Sequence, residues 1–503
     1  MHPFPVPEQE DQSAASDYDL SVVKSWWDSP REACGVYGIF SLPAEDVAKI
    51  TYFGLYALQH RGQEAAGIVT FGRSQQGESV VNVHKSMGLV SQVFNEQILA
   101  GLTGYLAVGH NRYSTTGSNR VENAQPIVVD TRLGKLALAH NGNLVNTWEL
   151  RAELAIAGYQ FEATSDSEAI AWAIALEVDQ GQDLLAGIIG GLRRCAGAFS
   201  LVIGTNVGLV GARDPHGVRP LEIGQLDDGS YILASETCGL DIVNAKLIRS
   251  VAPGELVWID GDGIKSCFWQ EQAIAPKLCI FEMIYFARPD SVMNHRSLYN
   301  YRKALGRVLA QEAAIEADLV IGVPDSGIPA AIGYSIASGI AYAEGLIKNR
   351  YVGRTFIQPT QAMRDAGIKM KLNPLRDELE GKRVVVIDDS IVRGTTSRKI
   401  VQALRDAGCT EVHMRISSPP VTHPCFYGID TDSQDQLIAA TKTVAEIAQI
   451  IGVDSLAFLS REGMLRATEA DSNNFCTACF TGDYPIPVPD KIKQTKIALE
   501  LNP

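Results

Sequence analysis

Cys34 has the surroundings of a nucleophile that becomes active when the chain is cleaved. It stands between a leader, residues 1–33, that contains several acidic residues and prolines, and the apolar run GVYGIF. If the chain is cut before Cys34, the α-amine of this residue, with a pKa of about 8, can act as the base for its own thiol. A lone cysteine would otherwise be a small buried side chain, so the prediction depends on what other segments supply.

Three later segments contain groups that amide hydrolysis requires. GHNRYSTTG contains Arg112, whose planar guanidinium can hold a carboxylate, and TSDSEA contains Asp166, which can bind an α-amine. AHNGNLVN contains Asn141 and Gly142, whose side-chain amide and N–H can converge on an oxyanion. Plainer interpretations are a surface charge, a helix cap and a type I′ hairpin turn, respectively. We expect Asn141-Gly142 to form the hairpin turn as well.

A second kind of chemistry is indicated by VVVIDDSIVRGTTS, residues 384–397. Asp388 and Asp389 follow an apolar strand and can bind ribose hydroxyls and Mg²⁺. The loop after them, rich in Gly, Ser and Thr, can hold a phosphate at a helix N-terminus. It lacks the Gly-Lys-Ser/Thr ending of a Walker A motif. Two adjacent aspartates alone would more often be a solvated turn, but the flanking residues argue against that interpretation.

The segment KNRYVGRTFIQPTQAMRDAGIKMK is basic within an otherwise acidic chain. We predict a flap that closes over a polyanionic substrate and excludes water. A solvated basic loop is the alternative. The cations of the segment include Lys348, Arg350, Arg354, Arg364, Lys369 and Lys371.

Four cysteines from separate segments form a candidate metal site. Cys476 and Cys479 make a Cys-x-x-Cys motif, and Cys279 and Cys425 lie in KLCIFEMIYFARPD and THPCFYGID. Four thiolates fit a [4Fe-4S] cluster or a tetrathiolate zinc site, and spacing alone does not separate the two. Cys267 is a rival ligand because it is close to Cys279 in sequence. The remaining candidates for plain buried thiols are Cys195, Cys238 and Cys409.

The elements that must position these residues change character along the chain. From Cys34 to about residue 265, many strand-like runs with few helices predict a layered α+β domain. From there to about residue 470, strands and helices alternate, which predicts an α/β domain with a parallel sheet and ligands at the carboxyl ends of its strands. The predicted divisions are therefore a leader 1–33, domains 34–265 and 266–470, and a tail 471–503.

Composition excludes several classes of protein. The net charge of -14 disfavours binding to nucleic acid or to an anionic membrane. No apolar run approaches the roughly 18 residues that span a bilayer. The leader lacks the basic start and apolar core of a signal peptide, so we predict a cytoplasmic protein. No repeat of about 20 to 50 residues is present.

In order, CGVYGIF, LQHRGQEAAG, GHNRYSTTG, AHNGNLVN and TSDSE resemble the class II glutamine amidotransferase domain of the N-terminal nucleophile hydrolases. The resemblance implies that Cys34 is the catalytic nucleophile and that Arg61 belongs to a loop over the glutamine pocket. It implies a pocket lined by Arg112, Thr115, Asn141, Gly142 and Asp166. Several synthases share this domain, so it defines the nitrogen donor and leaves the acceptor open.

The run at residues 384–397 resembles the signature of type I phosphoribosyltransferases, and VIGVPDSGIPAA looks like their pyrophosphate loop. The resemblance implies Mg²⁺ at Ser326, Asp388 and Asp389. The implied phosphoribosyl and pyrophosphate ligands are Asp325, Ser326, Lys348, Arg350, Lys369, Lys371, Asp388, Asp389, Ser390, Arg393, Gly394, Thr395, Thr396 and Ser397.

With ARPDS, KNRYVGRTF and HPCFYGID added, the order of motifs resembles the amidophosphoribosyltransferases that have a propeptide and a structural [4Fe-4S] cluster. The resemblance favours Cys279, Cys425, Cys476 and Cys479 as cluster ligands. It implies transfer of nitrogen from glutamine to phosphoribosyl pyrophosphate, the first committed step of purine synthesis. An ammonia channel, a homotetramer and inhibition by purine nucleotides are also implied. The rival hypotheses are another amidotransferase and a non-catalytic regulator that senses a phosphoribosyl ligand.

Overall fold

A computed structural model describes residues 34–41, 43, 46–113, 120–270, 274–349, 372–429, 431 and 433–490. The predicted leader and most of the basic segment lie outside these ranges. Thr115 of the predicted glutamine pocket is also outside them, as are Arg350, Lys369 and Lys371 of the predicted phosphoribosyl site. What the sequence indicates for these residues stays a prediction.

The first half of the chain is built from antiparallel strands with helices between them. The strands are β1 Gly35–Phe40, β2 Ala65–Arg73, β3 Ser79–Met87, β4 Leu106–Arg112, β5 Ile127–Thr131, β6 Gly134–Leu144, β7 Gly197–Thr205, β8 Leu209–Arg213, β9 Glu222–Gln225, β10 Tyr231–Ala234, β11 Lys246–Ser250, β12 Glu255–Asp260 and β13 Gly263–Phe268. The helices are α1 Val47–Ala57, α2 Val90–Val93, α3 Glu96–Gly101, α4 Thr147–Ile156, α5 Asp166–Asp179, α6 Leu184–Arg194 and α7 Cys238–Asp241.

These strands form two sheets packed face to face, with orders β11-β9-β10-β1-β4-β2-β3 and β13-β12-β8-β7-β6-β5. The buried side chains of β1 alternate between the layers. Val36 and Phe40 lie between the sheets with Val202 of β7, whereas Tyr37 and Ile39 pack beneath α1. Helices α5 and α6 cover the outer face of the second sheet. The half is therefore a four-layer helix-sheet-sheet-helix sandwich, and both faces of β1 are apolar because both are covered.

The second half contains short paired strands and one parallel sheet. The strands are β14 Leu278–Cys279, β15 Val292–Met293, β16 Arg296–Ser297, β17 Leu319–Gly322, β18 Leu346–Lys348, β19 Leu372–Pro374, β20 Arg383–Asp388, β21 Glu411–Ile416, β22 Ser455–Phe458 and β23 Phe475–Cys476. The helices are a π-helix Glu282–Phe286, and α8 Leu298–Glu312, α9 Gly327–Ser338, α10 Arg376–Leu379, α11 Thr395–Asp406, α12 Ile438–Thr441, α13 Val444–Ile451, α14 Arg461–Arg466 and α15 Ala478–Thr481.

The parallel sheet has the order β17-β20-β21-β22. Along β20, Val385 and Ile387 pack with the side chains of α8 and α9. Val384 and Val386 pack on the opposite face with those of α11 and α13. Burial on both faces explains the unbroken apolar run before the aspartates. The pairing of Gly322 with Ile387 brings the ends of β17 and β20 to one edge of the sheet.

The tail after residue 470 returns to the body of the protein. Strand β23 pairs in parallel with β14, so that Cys476 lies opposite Cys279. An apolar cluster joins Cys279, Phe426 and Ile486 to Val145 and Ala198 of the first half. The tail and both halves therefore share one buried contact region.

The observed layers confirm the predicted fold class, an α+β sandwich followed by an α/β unit with a parallel sheet. Within the described residues, no helix has both the length and the apolar character needed to cross a membrane.

Candidate functional site

Cys34 lies directly before β1, at the end of the sandwich where β1 pairs with β4. Its Sγ donates a hydrogen bond to the Tyr113 carbonyl at 3.3 Å, and 9 % of the residue is exposed. Burial raises the pKa of the Cys34 thiol, while the hydrogen bond to Tyr113 and the charge of Arg112 act against this. The thiol is thus held protonated and requires a base to become a nucleophile.

Arg112 ends β4 on the same side of the first sheet as Cys34. The pairing of Gly35 with Asn111 places Arg112 opposite Cys34. The guanidinium is buried, and one of its nitrogens lies 3.8 Å from the Glu64 carboxylate. A buried guanidinium beside the thiol suits a substrate carboxylate, because the fork can hold both oxygens.

Asn141 and Gly142 lie inside β6, opposite Ser200 and Phe199 of β7. The predicted hairpin turn at Asn141-Gly142 is therefore wrong, since the strand continues to Leu144. Gly142 is needed for another reason: its φ is +152°, and an added Cβ would lie 2.0 Å from the Ala198 carbonyl oxygen. Long-range pairing with β7 has overridden the local turn preference of the dipeptide.

The side chain of Asn141 is fully buried, and neither its amide nitrogen nor its oxygen has a hydrogen-bond partner among the described residues. Strand β6 reaches the Cys34 end of the first sheet through a 3.1 Å hydrogen bond between His110 Nε2 and the His140 carbonyl. An unpartnered buried amide is costly unless a ligand completes it. Asn141 is thus suited to donate to an oxyanion.

Asp166 is the first residue of α5, and its carboxylate accepts a 3.0 Å hydrogen bond from the Leu144 N–H. Burial alone would raise the pKa of this carboxyl group, but His140, 3.6 Å away, and the backbone donors hold the pKa below its usual value. Asp166 therefore stays ionised, as binding of an ammonium group requires. Its charge also favours the protonated thiol of Cys34 by raising its pKa.

Arg61 was predicted to belong to a loop over the glutamine pocket, and this role stays a prediction. It follows α1 in a turn, but its guanidinium is fully buried. It donates to Glu282 at 2.6 Å and to the Cys34 carbonyl at 3.1 Å, and it pairs with Glu236. A buried charge is stable only when paired, and the ion pairs hold Arg61 against the backbone of Cys34.

Asp388 ends β20, and Asp389 follows it. The Asp389 carboxylate accepts hydrogen bonds of 2.6 Å from both the Ser326 and the Ser390 hydroxyl groups. Burial raises the pKa of both aspartates, and the charge of Asp389 adds to the effect on Asp388. The three residues predicted to hold Mg²⁺, Ser326, Asp388 and Asp389, therefore lie together at the carboxyl edge of the sheet.

The loop after the aspartates leads directly into α11. Gly394 adopts φ +81° at the residue before the helix, a conformation that favours glycine. The N-terminus of α11 thus lies directly after the loop, and a helix N-terminus that follows such a loop is an arrangement that binds phosphate. The remaining predicted ligands in this region lie in the loop or the first helical turn: Ser390, Arg393, Thr395, Thr396 and Ser397.

The turn between β17 and α9 lies beside this loop. Lys348 Nζ lies 2.6 Å from the Asp325 carboxylate, and both side chains are substantially exposed. Both residues line a cavity of about 470 Å³, together with Tyr342 and Glu344. An exposed ion pair of this kind contributes little stability and is readily exchanged for a ligand.

One small cavity is lined by Cys279, Cys425, Cys476 and Cys479. Cys279 and Cys476 are brought together by the pairing of β14 with β23. Burial raises the pKa of the Cys279 thiol to about 12 and also raises the pKa values of Cys476 and Cys479. Cys267, the rival candidate, lies in β13 and does not line this cavity.

Sequence reasoning missed two residues between these sites, Glu282 and Arg219. Both are fully buried, and Arg219 donates to Glu282 at 2.8 Å. Glu282 also pairs with Arg61. The sequence feature that could have revealed them is the single carboxylate in the apolar run CIFEMIYF. An acid in such a run is buried, and a buried acid requires a cationic partner.

Comparison with known families and proteins identifies both halves. The family model for the glutamine amidotransferase domain matches residues 110–241, and that for the phosphoribosyl transferase domain matches residues 292–417. The chain is 62 % identical over 492 residues to the amidophosphoribosyltransferase of Synechococcus elongatus, covering 97 % of this chain and 98 % of the relative. It is 66 % identical over 476 residues to that of Synechocystis sp., covering 94 % and 95 %. The chain belongs to the amidophosphoribosyltransferase family.

Solved structures of this family agree. Glutamine phosphoribosylpyrophosphate amidotransferase from B. subtilis, complexed with ADP and GMP, matches with a TM-score of 0.84 at 48 % identity, over 91 % of this chain and 98 % of that chain. A structure described as the allosteric regulatory enzyme of purine biosynthesis matches with a TM-score of 0.85 at 48 % identity, over 91 % and 97 %.

Membership of the amidophosphoribosyltransferase family confirms the predicted enzyme class, a glutamine-dependent phosphoribosyltransferase of purine biosynthesis. The rival hypotheses of a different amidotransferase and of a non-catalytic regulator receive no support. The predicted subgroup with a propeptide and a cluster stays a prediction, as do the roles of the individual site residues.

Proposed function

We propose that the chain hydrolyses glutamine at Cys34 and adds the released ammonia to C1 of phosphoribosyl pyrophosphate, giving 5-phosphoribosylamine, glutamate and pyrophosphate. The observation that carries this proposal is the unpartnered buried amide of Asn141 in β6, the strand that is hydrogen-bonded to His110 of β4. The same chain ends β20 at Asp388, directly before Asp389. The first feature suits an acyl-transfer oxyanion and the second suits a ribose with a bound cation.

At the glutamine site, the Cys34 sulfur attacks the amide carbon, and the cysteine's free α-amine accepts the thiol proton and delivers it to the leaving ammonia. Arg112 binds the substrate carboxylate and Asp166 its ammonium group. Asn141 and the Gly142 N–H stabilise the oxyanion, and water then hydrolyses the thioester to glutamate. Thr115 is proposed to complete the pocket.

This mechanism requires a free amine on Cys34, so we propose that residues 1–33 are a propeptide. Intact-mass analysis of the active enzyme should give a chain that begins at Cys34. A fully active enzyme that retains Met1 would contradict the proposal.

At the acceptor site, the loop before α11 and its first N–H groups hold the 5-phosphate, and Asp388 and Asp389 orient the ribose hydroxyls. Clustered carboxylate and hydroxyl oxygens at Asp388, Asp389 and Ser326 suit Mg²⁺. When bound, Mg²⁺ would neutralise charge on the departing pyrophosphate. The pyrophosphate is proposed to be bound by Asp325, Lys348, Arg350, Lys369 and Lys371. These residues would also exclude water, so that ammonia reaches C1 through a sequestered path.

We further propose a structural [4Fe-4S] cluster held by Cys279, Cys425, Cys476 and Cys479. The small cavity that these cysteines share supports the assignment. Among the described residues, no three His, Cys, Asp or Glu side chains are placed to hold one metal ion, whereas in a cluster each thiolate binds a different iron. Zinc is the alternative that metal analysis of the purified protein would reveal.

The remaining proposals concern the whole protein. We propose a cytoplasmic homotetramer inhibited by purine nucleotides, and divisions at 34–265, 266–470 and 471–503. The solved relative that was complexed with ADP and GMP supports the nucleotide proposal.

One assay tests the central proposal: release of pyrophosphate should require both glutamine and phosphoribosyl pyrophosphate. Ammonium salts should replace glutamine, because the acceptor site is separate. Tight binding of phosphoribosyl pyrophosphate without turnover on either nitrogen source would instead favour a regulator.

A further inference from the structure

Arg219 connects the cysteine-lined cavity to the glutamine site. The residue is fully buried and lines the cavity formed by the four cysteines. Its Nη1 donates to Glu282 at 2.8 Å, and its Nε donates to the Tyr427 carbonyl at 3.0 Å. Its third nitrogen, Nη2, has no hydrogen-bond partner among the described residues.

A buried guanidinium N–H without an acceptor is unfavourable, because folding removes it from water. The other side chains around the cavity are largely apolar, apart from the cysteines. An anionic group rich in sulfur would supply the missing acceptor, since sulfide and thiolate sulfurs accept hydrogen bonds. The unpartnered Nη2 therefore indicates a ligand of this chemistry in the cavity.

The other side of Arg219 leads to Cys34. Glu282 accepts from Arg219 and from Arg61 at 2.6 Å, and Arg61 donates to the Cys34 carbonyl at 3.1 Å. All three charged side chains are buried to within 1 % exposure. Charged groups in such a chain have little freedom to move separately, because each would lose its partner in a medium of low dielectric.

We propose that Arg219 is a positioning residue that the two regions share. Its Nη2 donates to the sulfur-rich group held by the four cysteines, and its Nη1, through Glu282 and Arg61, fixes the backbone of Cys34. The inference rests on the proposed cluster. The inference predicts that Arg219 slows the decay of the cluster in air and supports the use of glutamine. The acceptor site should work without Arg219.

Two substitutions at Arg219 test both roles. Arg219→Met keeps the apolar stem and removes every donor, whereas Arg219→Lys keeps the charge but cannot reach three acceptors at once. Arg213→Met is the matched control, because Arg213 is also a buried arginine but donates to Val251 in the first half, outside the cavity lining. Each protein is purified without oxygen, assayed for iron and sulfide, and checked for folding by thermal unfolding.

Wild type and the control should both contain iron and sulfide, and the absorbance of their clusters should decay in air at the same rate. In both Arg219 variants the absorbance of the cluster should decay faster. Their kcat with glutamine should fall about ten-fold, with a smaller change in KM, because a displaced nucleophile slows acylation more than binding. Ammonia-dependent turnover should stay within about two-fold of wild type.

If wild type contains iron and sulfide and the cluster of the Arg219 variants decays in air at the wild-type rate, the inference is overturned. The proposed cluster would remain supported. Equal loss of glutamine- and ammonia-dependent turnover in a folded Arg219→Lys protein would also overturn it. A wild type without iron and sulfide would overturn the cluster proposal, and the inference with it.

Discussion

Cys34 and Asp389 are both buried, and their surroundings suit opposite tasks. Cys34 donates to the Tyr113 carbonyl, and burial raises the pKa of its thiol, so it stays protonated until a base acts on it. Asp389 accepts hydrogen bonds from Ser326 and Ser390. This gathers oxygen atoms where hydroxyl groups and a cation would bind. The two sites can therefore be inactivated separately.

Cys34→Ala should abolish the use of glutamine and retain the use of ammonia. We expect glutamine-dependent turnover to fall at least about a thousand-fold, and ammonia-dependent turnover to stay within about two-fold of wild type. Pyrophosphate release with each nitrogen source measures both. Cys195→Ala removes another free thiol of the same half and should change neither. Loss of both activities in a folded Cys34→Ala protein would contradict the two-site mechanism.

Asp389→Asn should impair both nitrogen sources, because it removes a charge from the site shared by both reactions. We expect a loss of at least about 100-fold with either glutamine or ammonia, and the same for Asp388→Asn. The exposed Asp406→Asn, at the end of α11, is the control and should be near wild type. If either active-site variant lost glutamine-dependent turnover alone, the acceptor site would lie elsewhere.

At the level of single residues, the sequence predicted that Ser326, Asp388 and Asp389 lie together, and the structure brings them together at the carboxyl edge of the parallel sheet. The chemical roles of these residues and of Cys34 stay predictions. The buried ion pairs of Arg61 and Arg219 were missed, because their partners Glu236 and Glu282 are more than 170 and 60 positions away. Buried ion pairs between distant segments leave no periodic signal in the chain.

Among the elements, the segment after Cys425 packs against the proposed oxyanion site. The Asn143 side chain donates to the Phe426 carbonyl at 3.0 Å. An added Cβ at Gly428 would lie 2.8 Å from the carbonyl carbon of Gly142. The backbone of the second half thus packs directly against the strand that carries Asn141 and Gly142.

Gly428→Ala should therefore impair the glutamine reaction specifically. The new Cβ would displace Gly142, and loss of an oriented oxyanion donor reduces kcat by about 100-fold or more. Ammonia-dependent turnover should change little. Gly452→Ala is the matched control, because Gly452 also has a positive φ, +82°, but its added Cβ meets nothing within 4 Å. Equal effects of the two substitutions on glutamine kinetics would show that backbone strain, rather than contact with Gly142, is responsible.

Long elements with both faces buried were predictable, and very short ones were not. The apolar run of β20 and the helical spacing of α5 carry their own signals. Strands β14 and β23 contain two residues each and exist through pairing across almost two hundred positions. Strand β6 was interrupted in the prediction at Asn141-Gly142, because a dipeptide preference is visible in sequence and the facing β7 is not.

For the whole molecule, His110 should make stability depend on pH. Burial lowers the pKa of His110 to about 3 in the folded chain, against about 6.5 in the unfolded chain. Between these values the unfolded state binds more protons, so the free energy of unfolding falls as pH falls, by up to about 1.4 kcal/mol per pH unit. His110→Gln should make this dependence shallower, as measured by denaturant unfolding between about pH 7 and 4.5.

The control is His295→Gln, because His295 is exposed. It should leave the dependence of unfolding on pH as in wild type. Identical slopes for wild type and His110→Gln would contradict the assignment of a neutral buried imidazole.

The four cavity cysteines come from three separate segments of the chain, around Cys279, Cys425 and Cys476. A bound group that joins them restricts the unfolded chain and fastens the tail to both halves. Apolar contacts of the same region include Val145 and Ala198 of the first half. Loss of the group should therefore weaken the molecule as a whole, beyond the cavity itself.

Cys476→Ser should remove the proposed cluster and lower the thermal midpoint by at least about 5 °C, because a link between distant segments is lost. Wild type should be brown and contain about four irons and four sulfides per chain. Cys409→Ser is the control: Cys409 is a buried thiol next to β21, outside the cavity lining, so iron content should persist. Stoichiometric zinc in a colourless, fully active wild type would overturn the iron-sulfur assignment, while leaving the mechanisms at Cys34 and Asp389 intact.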